Sequence, residues 1–223
     1  MTVDTPVCTD NRAMPALVLG ASGFLGSHIA RQLCAAGRAT RVMVRESSDT
    51  SAIDDLSVEP CAGDVSDVQS LQQAMRGCGT VFYCVVDTRA WLSDPAPLYR
   101  TNVEGLRNAL DAAQEEGIQR FVFTSSMATI GRRDVGVADE GDTFNWWGEA
   151  PDYIRSRVKA EDLLMECCRE RAFPGIALCV ANTYGPQDYQ PTPHGQLLWS
   201  AARGKLPIAL DCGAPTVDIR DAA

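Results

Sequence analysis

Short apolar runs alternate with stretches of helical periodicity along most of the 223-residue chain. This alternation predicts an α/β domain, a doubly wound parallel sheet with helices on both faces. Two further observations agree. The first apolar run ends in three glycines spaced by three and passes directly into a helical pattern, the strand–turn–helix order that begins a parallel crossover. The length suits one domain with a full-sized core, and 45% hydrophobic with 22% charged residues is an ordinary globular composition.

The first unit is Pro15-Ala-Leu-Val-Leu-Gly-Ala-Ser-Gly-Phe-Leu-Gly-Ser-His28. Ala16 to Leu19 reads as a buried strand. Leu25, Ile29, Ala30 and Leu33 then recur at helical spacing until Gly37 stops the helix. A strand, a glycine turn and a helix start make a phosphate cradle, because N–H groups at the helix N-terminus point at the anion and the dipole favours its charge. Gly20 permits the tight turn, Gly23 lets backbone approach a pyrophosphate, and Gly26 lets the helix pack close on the strand. Ser22, Phe24 and Leu25 complete the candidate cradle. An ordinary tight turn is the competing reading of three glycines. The G-x-x-G-x-x-G spacing of Gly-Ala-Ser-Gly-Phe-Leu-Gly resembles the first turn of the short-chain dehydrogenase/reductase superfamily.

Bulk properties exclude some partners. The net charge is −9, with no Lys/Arg-rich run, which argues against a nucleic-acid groove or an anionic membrane surface. No apolar stretch approaches a membrane span. Residues 1 to 14 lack the basic-then-apolar order of a signal peptide and read as a flexible tail before a domain over 15 to 223. Nine cysteines occur without a C-x-x-C pair, beside two histidines. Reduced core thiols in a cytoplasmic protein are the expectation, and no metal site is expected.

The second strand, Thr40 to Val44, ends at Arg45. In dinucleotide folds this strand end approaches the adenine ribose, where an acid suits NAD and a cation pairs with the extra phosphate of NADP. Arg45, with Ser47 and Ser48, favours NADP, while Glu46 keeps NAD open. A third strand, about Val58 to Cys61, runs into Asp64-Val65. The resemblance places these two beside the adenine ring; alternatively Asp64 or Ser66 caps a helix from about Asp67 to Met75. The fourth strand is Thr80 to Val85, and the resemblance sets Val85 and Val86 against the cofactor.

A long helix follows, about Pro95 to Glu116, with Leu98, Val103, Leu106, Leu110 and Ala113 as its core stripe and Gly117 as its stop. The segment Leu98 to Asn108 resembles the matching helix of extended short-chain reductases, with the dihydroflavonol-4-reductase-like branch and sugar-epimerase relatives nearest. That resemblance implies a Rossmann-like dinucleotide fold and makes Asn102 a support for the active-site backbone. The fifth strand, Arg120 to Thr124, leads to Ser125-Ser126-Met127. By resemblance Thr124 meets the cofactor and Ser126 hydrogen-bonds the substrate oxygen. Trp91, Trp146 and Trp147 suit a substrate wall, or in the loop pair a hydrophobic anchor.

The helix from about Pro151 to Arg171 carries Tyr153-Ile-Arg-Ser-Arg157-Val-Lys159-Ala-Glu161. The family writes Tyr-x-x-x-Lys here, often as Y-x-x-S-K-x-x-A-E. Residues i and i+4 share a face, so a cation there lies beside the phenol and favours its ionisation. In this chain Arg157 stands at the lysine position. Lys159 lies six residues on, a turn of about 240°, and faces elsewhere. Arginine supplies charge and donors to a ribose but does not shuttle a proton.

After a sixth strand, Ile176 to Val180, come Asn182 and the Tyr184-Gly-Pro turn. The resemblance puts Asn182 at the nicotinamide end and Tyr184 near substrate. A helix from Gly195 to Arg203, a strand from Pro207 to Leu210 and a strand-to-helix junction over Thr216 to Asp221 complete the pattern. Family members continue beyond this point, so the substrate-binding portion, from about 183, is expected to be partial.

The leading expectation is an NADP-preferring oxidoreductase on a carbonyl or secondary alcohol, with Tyr153 as acid/base, Ser126 holding the oxygen and Arg157 orienting the ribose. A nucleotide-sugar epimerase or dehydratase with transient hydride transfer is the second. An NADP-binding sensor without turnover is the third, motivated by Arg157. The family resemblance also implies a homodimer through the two long helices.

Overall fold

The structure is a computed structural model that describes residues 13–208, 211 and 213–223. Six parallel strands stand in the order β3-β2-β1-β4-β5-β6. They are β1 (Ala16–Leu19), β2 (Thr40–Val44), β3 (Glu59–Ala62), β4 (Thr80–Tyr83), β5 (Arg120–Ser126) and β6 (Gly175–Val180). This is the strand order of two mononucleotide-binding halves meeting between β1 and β4, where the strand order reverses and ligands bind beyond the strand ends. Ala16 pairs with Thr40 on one side and Thr80 on the other, so the glycine turn emerges at the centre of the sheet.

Both faces are covered. Successive side chains point to opposite faces of a strand. Leu17, Leu19, Val81, Tyr83, Phe121 and Phe123 join one core with α2 (Val68–Met75), α4 (Gly105–Glu115) and α5 (Asp152–Arg171). Val18, Val42 and Phe82 join the other with Ile29 and Ala30 of α1 (Phe24–Ala35). On that second face Ile176 and Leu178 of the edge strand β6 remain exposed.

The elements match the expected order, with local differences. The fourth strand stops at Tyr83 rather than Val85, because the chain turns past the backbone of Gly20, although Cys84 still donates to the Leu19 carbonyl (2.9 Å). Strand β5 runs two residues past Thr124, through Ser126, held by β6. The cap of α2 is neither Asp64 nor Ser66 but Asp67, whose carboxylate accepts from the Gln69 N–H (3.0 Å). The long central helix is α3 (Ala96–Tyr99), a π-helical turn over Arg100–Glu104, and α4. Gly37 and Gly117 close their helices at φ +68° and +67°.

Beyond β6, β7 (Asn182–Tyr184) pairs in parallel with β8 (Thr216–Asp218), a small sheet the sequence pattern did not announce. Helix α6 (Pro193–Ala202) stands between them, and α7 (Ile219–Ala222) returns to α1, with Ile219 fully buried and Gln32 donating to the Arg220 carbonyl (2.6 Å). The expected strand Pro207 to Leu210 falls partly outside the described residues, as do Cys8, Cys212 and the first twelve residues of the expected tail. Among the described residues no helix is long and apolar enough to cross a membrane.

Candidate active site

The glycine turn is built for close approach. Gly20 has φ +84°, and a Cβ there would stand 2.9 Å from the Cys84 carbonyl carbon and 3.0 Å from Val85 N. A Cβ on Gly26 would lie 2.2 Å from Gly20 O. Backbone therefore fills the space on both sides, and only glycine fits. Gly23 is the N-cap of α1 with no side-chain cap, and the first turn holds no acid. The first N–H groups of a 12-residue helix are thus left for a ligand. These residues fit a dinucleotide pyrophosphate. Val85 lies directly against the turn and Val86 beyond it is exposed. Ser22 and Leu25 flank the glycines, and Phe24 packs edge-on against His28 (5.5 Å).

Arg45 leaves the end of β2 at the same edge of the sheet. Asp64, after β3, accepts from the Ser66 N–H (2.8 Å) and hydroxyl (2.7 Å), both on Oδ1. Those bonds hold its carboxyl below the usual range, with the Arg45 charge adding to the effect. Val65 is buried, and its carbonyl accepts from Asn108 (2.9 Å).

Asn102 sits on the π-helical turn, fully buried. Its Oδ1 accepts from the Asp87 N–H (2.7 Å), and its Nδ2 donates to the Asp87 carbonyl (3.0 Å) and to Ser156 Oγ (3.0 Å). Ser156 in turn donates to the Tyr153 carbonyl (2.7 Å). One amide thus ties the loop after β4 to the first turn of α5. Asp87 also grips Arg89 through a 2.5 Å ion pair, and the hydrogen bonds from Arg89 hold its carboxyl below the usual range.

Tyr153 stands half-buried at the start of α5. One turn along, Arg157 is 2% exposed, its Nη2 donates to the Thr124 carbonyl, and its guanidinium lies 4.8 Å over the Phe123 ring. Its Nη1 is buried with no hydrogen-bond partner. Burial lowers its pKa from the ordinary arginine value, opposed by Tyr153, Tyr83 and Glu161 nearby. The cation at the lysine position is therefore anchored between the β5 end and the tyrosine. Lys159 faces away, its Nζ 4.9 Å from the Tyr99 ring, as the helical angle required. Thr124 Oγ1 donates to the Tyr83 carbonyl (3.0 Å), which binds the ends of β4 and β5 together. Ser126 is the last residue of β5, and its Oγ accepts from the Ala128 N–H (3.2 Å).

Sequence reasoning quoted Glu161 only as part of a pattern. Its Oε2 gathers the Ser125 hydroxyl, Thr129 Oγ1 (2.9 Å) and Cys179 Sγ (3.8 Å), so it fastens α5 to the turn behind Ser126. The signal was the i, i+3, i+4, i+8 spacing of Tyr153, Ser156, Arg157 and Glu161, which places all four toward one side of the helix. Tyr83 and Cys84 were also missed. Burial pushes the Tyr83 phenol up, and the Cys84 thiol up to about 12.

The other candidates make different contacts. Asn182 turns toward the chain before β8, where its Nδ2 donates to the Pro215 carbonyl (3.1 Å). Trp91 is exposed. Trp146 packs with Phe144, Ala150, Val158 and Ile154 under Arg132, the anchor arrangement, and Trp147 meets Phe144 edge-on at 4.8 Å. Tyr184 lines a cleft beside α6 to which Phe24 also contributes. The described cysteines are free, and among the described residues no cluster of three or more His, Cys, Asp or Glu is placed to hold a metal ion.

Comparison with known proteins places these features in context. A model of the NAD dependent epimerase/dehydratase family matches residues 16–215. A Synechocystis sp. protein provisionally named dihydroflavonol 4-reductase is 33% identical over 92% of this chain and 60% of its own length. The crystal structure of gox2253 is 36% identical, with a TM-score of 0.87 over 93% of this chain and 63% of that one. The Brucella ovis UDP-glucose 4-epimerase, solved in complex with NAD, is 25% identical, with a TM-score of 0.79 over 94% of this chain and 70% of that one. The chain thus spans about 60% of the length of the first relatives it matches.

Proposed function

Because the chain belongs to the NAD dependent epimerase/dehydratase family, we propose that it works as an oxidoreductase on a carbonyl or secondary alcohol, with NADP preferred over NAD. The observation that carries this reading is the anchored helix face of Tyr153, Ser156 and Arg157 beside the strand end bearing Ser126. The glycine turn would hold the pyrophosphate, and Arg45 would meet the ribose phosphate of NADP. Asp64 and Val65 would flank the adenine. When bound, the nicotinamide supplies the hydride.

The chain supplies the rest. Tyr153 gives its phenolic proton to the substrate oxygen, while Ser126 Oγ holds that oxygen in place. Arg157 sets a fixed positive charge beside the phenol and favours its ionised form after the transfer. Its guanidinium does not relay the proton. Asn102 keeps the loop at Asp87 and the first turn of α5 in one geometry. The Tyr153→Phe variant tests this: NADPH binding is retained, and reduction of a carbonyl panel falls at least about a hundredfold. Full activity in that variant would overturn the assignment.

A second reading, a nucleotide-sugar epimerase or dehydratase, is supported by the likeness to the Brucella ovis enzyme. It predicts turnover with no net change in cofactor absorbance. A third, a cofactor-binding sensor, draws on the buried arginine in place of lysine and predicts NADPH binding with no turnover. The free cysteines support a reducing, cytoplasmic setting. The family resemblance supports a homodimer through the long helices.

A further inference from the structure

Resting on the dinucleotide part of the oxidoreductase reading, we propose that His28 is a positioning residue that joins the phosphate cradle to the β7–β8 sheet, so that a dinucleotide on the cradle also orders the turn Tyr184-Gly185-Pro186. His28 stands on the second turn of α1 and is buried. Its Nε2 lies 3.1 Å from the Pro186 carbonyl oxygen, 158 residues along the chain. A carbonyl only accepts, so Nε2 carries the proton of this bond. The same ring meets Phe24 edge-on, with centroids 5.5 Å apart, since residues i and i+4 share a helix face. Phe24 opens α1 directly after Gly23, the N-cap at the cradle. One imidazole therefore touches both the first helical residue beyond the cradle and the backbone of a distant turn. An apolar side chain would pack against Phe24 as well, but it would leave the Pro186 carbonyl without this donor.

The turn and the small sheet are seated on α1 together. A Cβ on Gly185 would stand 2.4 Å from Ile219 Cγ2, so the turn rests directly on the fully buried first residue of α7. Gln32, one turn beyond His28, donates to the Arg220 carbonyl (2.6 Å). The Asp218 carboxyl of β8 is held below the usual range by its bonds from Arg220, and the nearby His28 adds to the effect. Of His28 and Gln32, His28 is the one whose ring also meets Phe24. A pyrophosphate on the free N–H groups fixes the first turn of α1. With Phe24 fixed, the His28 ring is held in the orientation that donates to Pro186. Linkage is reciprocal, so a turn held by His28 strengthens dinucleotide binding by the same factor.

The test is hydrogen exchange followed by mass spectrometry, on the protein alone and saturated with 2′-phospho-ADP-ribose, the portion of NADP without the nicotinamide. Omitting that ring removes its own contacts as a source of protection far from the cradle. In the wild type the probe is expected to slow exchange over 182–188 and 216–222 at least about fivefold. In His28→Leu that protection is expected to vanish while 20–27 remains protected, and probe affinity by calorimetry is expected to fall by about the same factor. His28→Gln keeps a donor at the end of the side chain and is expected to restore both effects; it also carries the test should the leucine variant not fold. No protection of 182–188 in the wild type with probe bound, equal protection in His28→Leu, or a His28→Gln variant without the coupling would overturn the inference. Failure of the wild type to bind the probe would defeat the dinucleotide reading instead. Exchange of the free proteins then decides the role of His28: His28→Leu is expected to exchange faster over 182–188, and equal rates would overturn it.

Discussion

Arg157→Met separates the cost of this site from its use. The guanidinium is 2% exposed, with Nη1 unpartnered and no ion pair among the described residues. Its removal forfeits a charged hydrogen bond to the Thr124 carbonyl, about 1.5–3 kcal/mol, and the contact with Phe123, about 0.5–2 kcal/mol. Against this stands the desolvation of a buried cation, several kcal/mol even after relaxation. Methionine is apolar and flexible enough to fill much of the space that the arginine leaves. The desolvation relieved is of the same order as the bonds lost, so the variant is expected to keep the wild-type stability within about 1 kcal/mol while losing carbonyl reduction. Urea denaturation at pH 7, followed by circular dichroism, measures the stability. A loss of more than about 1 kcal/mol would refute the reasoning, because it would mean that Thr124 and Phe123 compensate the charge in full.

Other expectations follow from the same geometry. Asn102→Leu strands the buried N–H and C=O of Asp87, each at about 1–3 kcal/mol, so the urea-derived stability should fall by about 2–5 kcal/mol; a loss below about 1 kcal/mol would show that water replaces the amide. Gly26→Ala sets a methyl group against Gly20 O, backbone on backbone, and should weaken NADPH binding at least about a hundredfold in a fluorescence titration, unless α1 slides without cost. Arg89→Met removes the partner that holds the Asp87 carboxyl below its usual range. The ion pair stabilises the fold above the unfolded carboxyl pKa, about 3.9, and that contribution is lost as pH falls through the lower folded value. The stability gap between wild type and variant should therefore be constant above about pH 5 and close below about pH 4; a gap that widens in acid would contradict the pairing.

The parts of the molecule legible in sequence are those fixed by local geometry. Three glycines at fixed spacing constrain the backbone by themselves, and the structure shows why Gly20 and Gly26 accept no Cβ. The parallel sheet followed from alternation, since parallel strands need crossovers. The angle between Tyr153 and Lys159 was a matter of helical pitch. What escaped depends on contacts across elements or on patterns too short to have a period. Three-residue strands such as β7 and β8 carry no periodic signal. Asp64, Ser66 and Asp67 all suit an N-cap, and only the register of Gln69 chose among them. The bond from Asn182 to the Pro215 carbonyl spans more than thirty residues of chain and had no local signal. Glu161 reaches Ser125 and Thr129 over more than thirty residues of chain, a distance over which spacing says nothing.

The π-helical turn at Arg100–Glu104 has a consequence for how this stretch can change. Leu98 and Leu106 are both buried, with Asn102 between them facing inward on the widened turn. Each residue of an α-helix advances the face by about 100°. The widened turn therefore absorbs one residue, so that Leu98 and Leu106, eight apart, share a face as residues seven apart do on a regular helix. Regular α winding at the present length would swing Leu98 and all of α3 by about 100° away from α5, whereas losing one of the five together with the wide turn would keep the two helices aligned. The length and the winding of this segment can change only together.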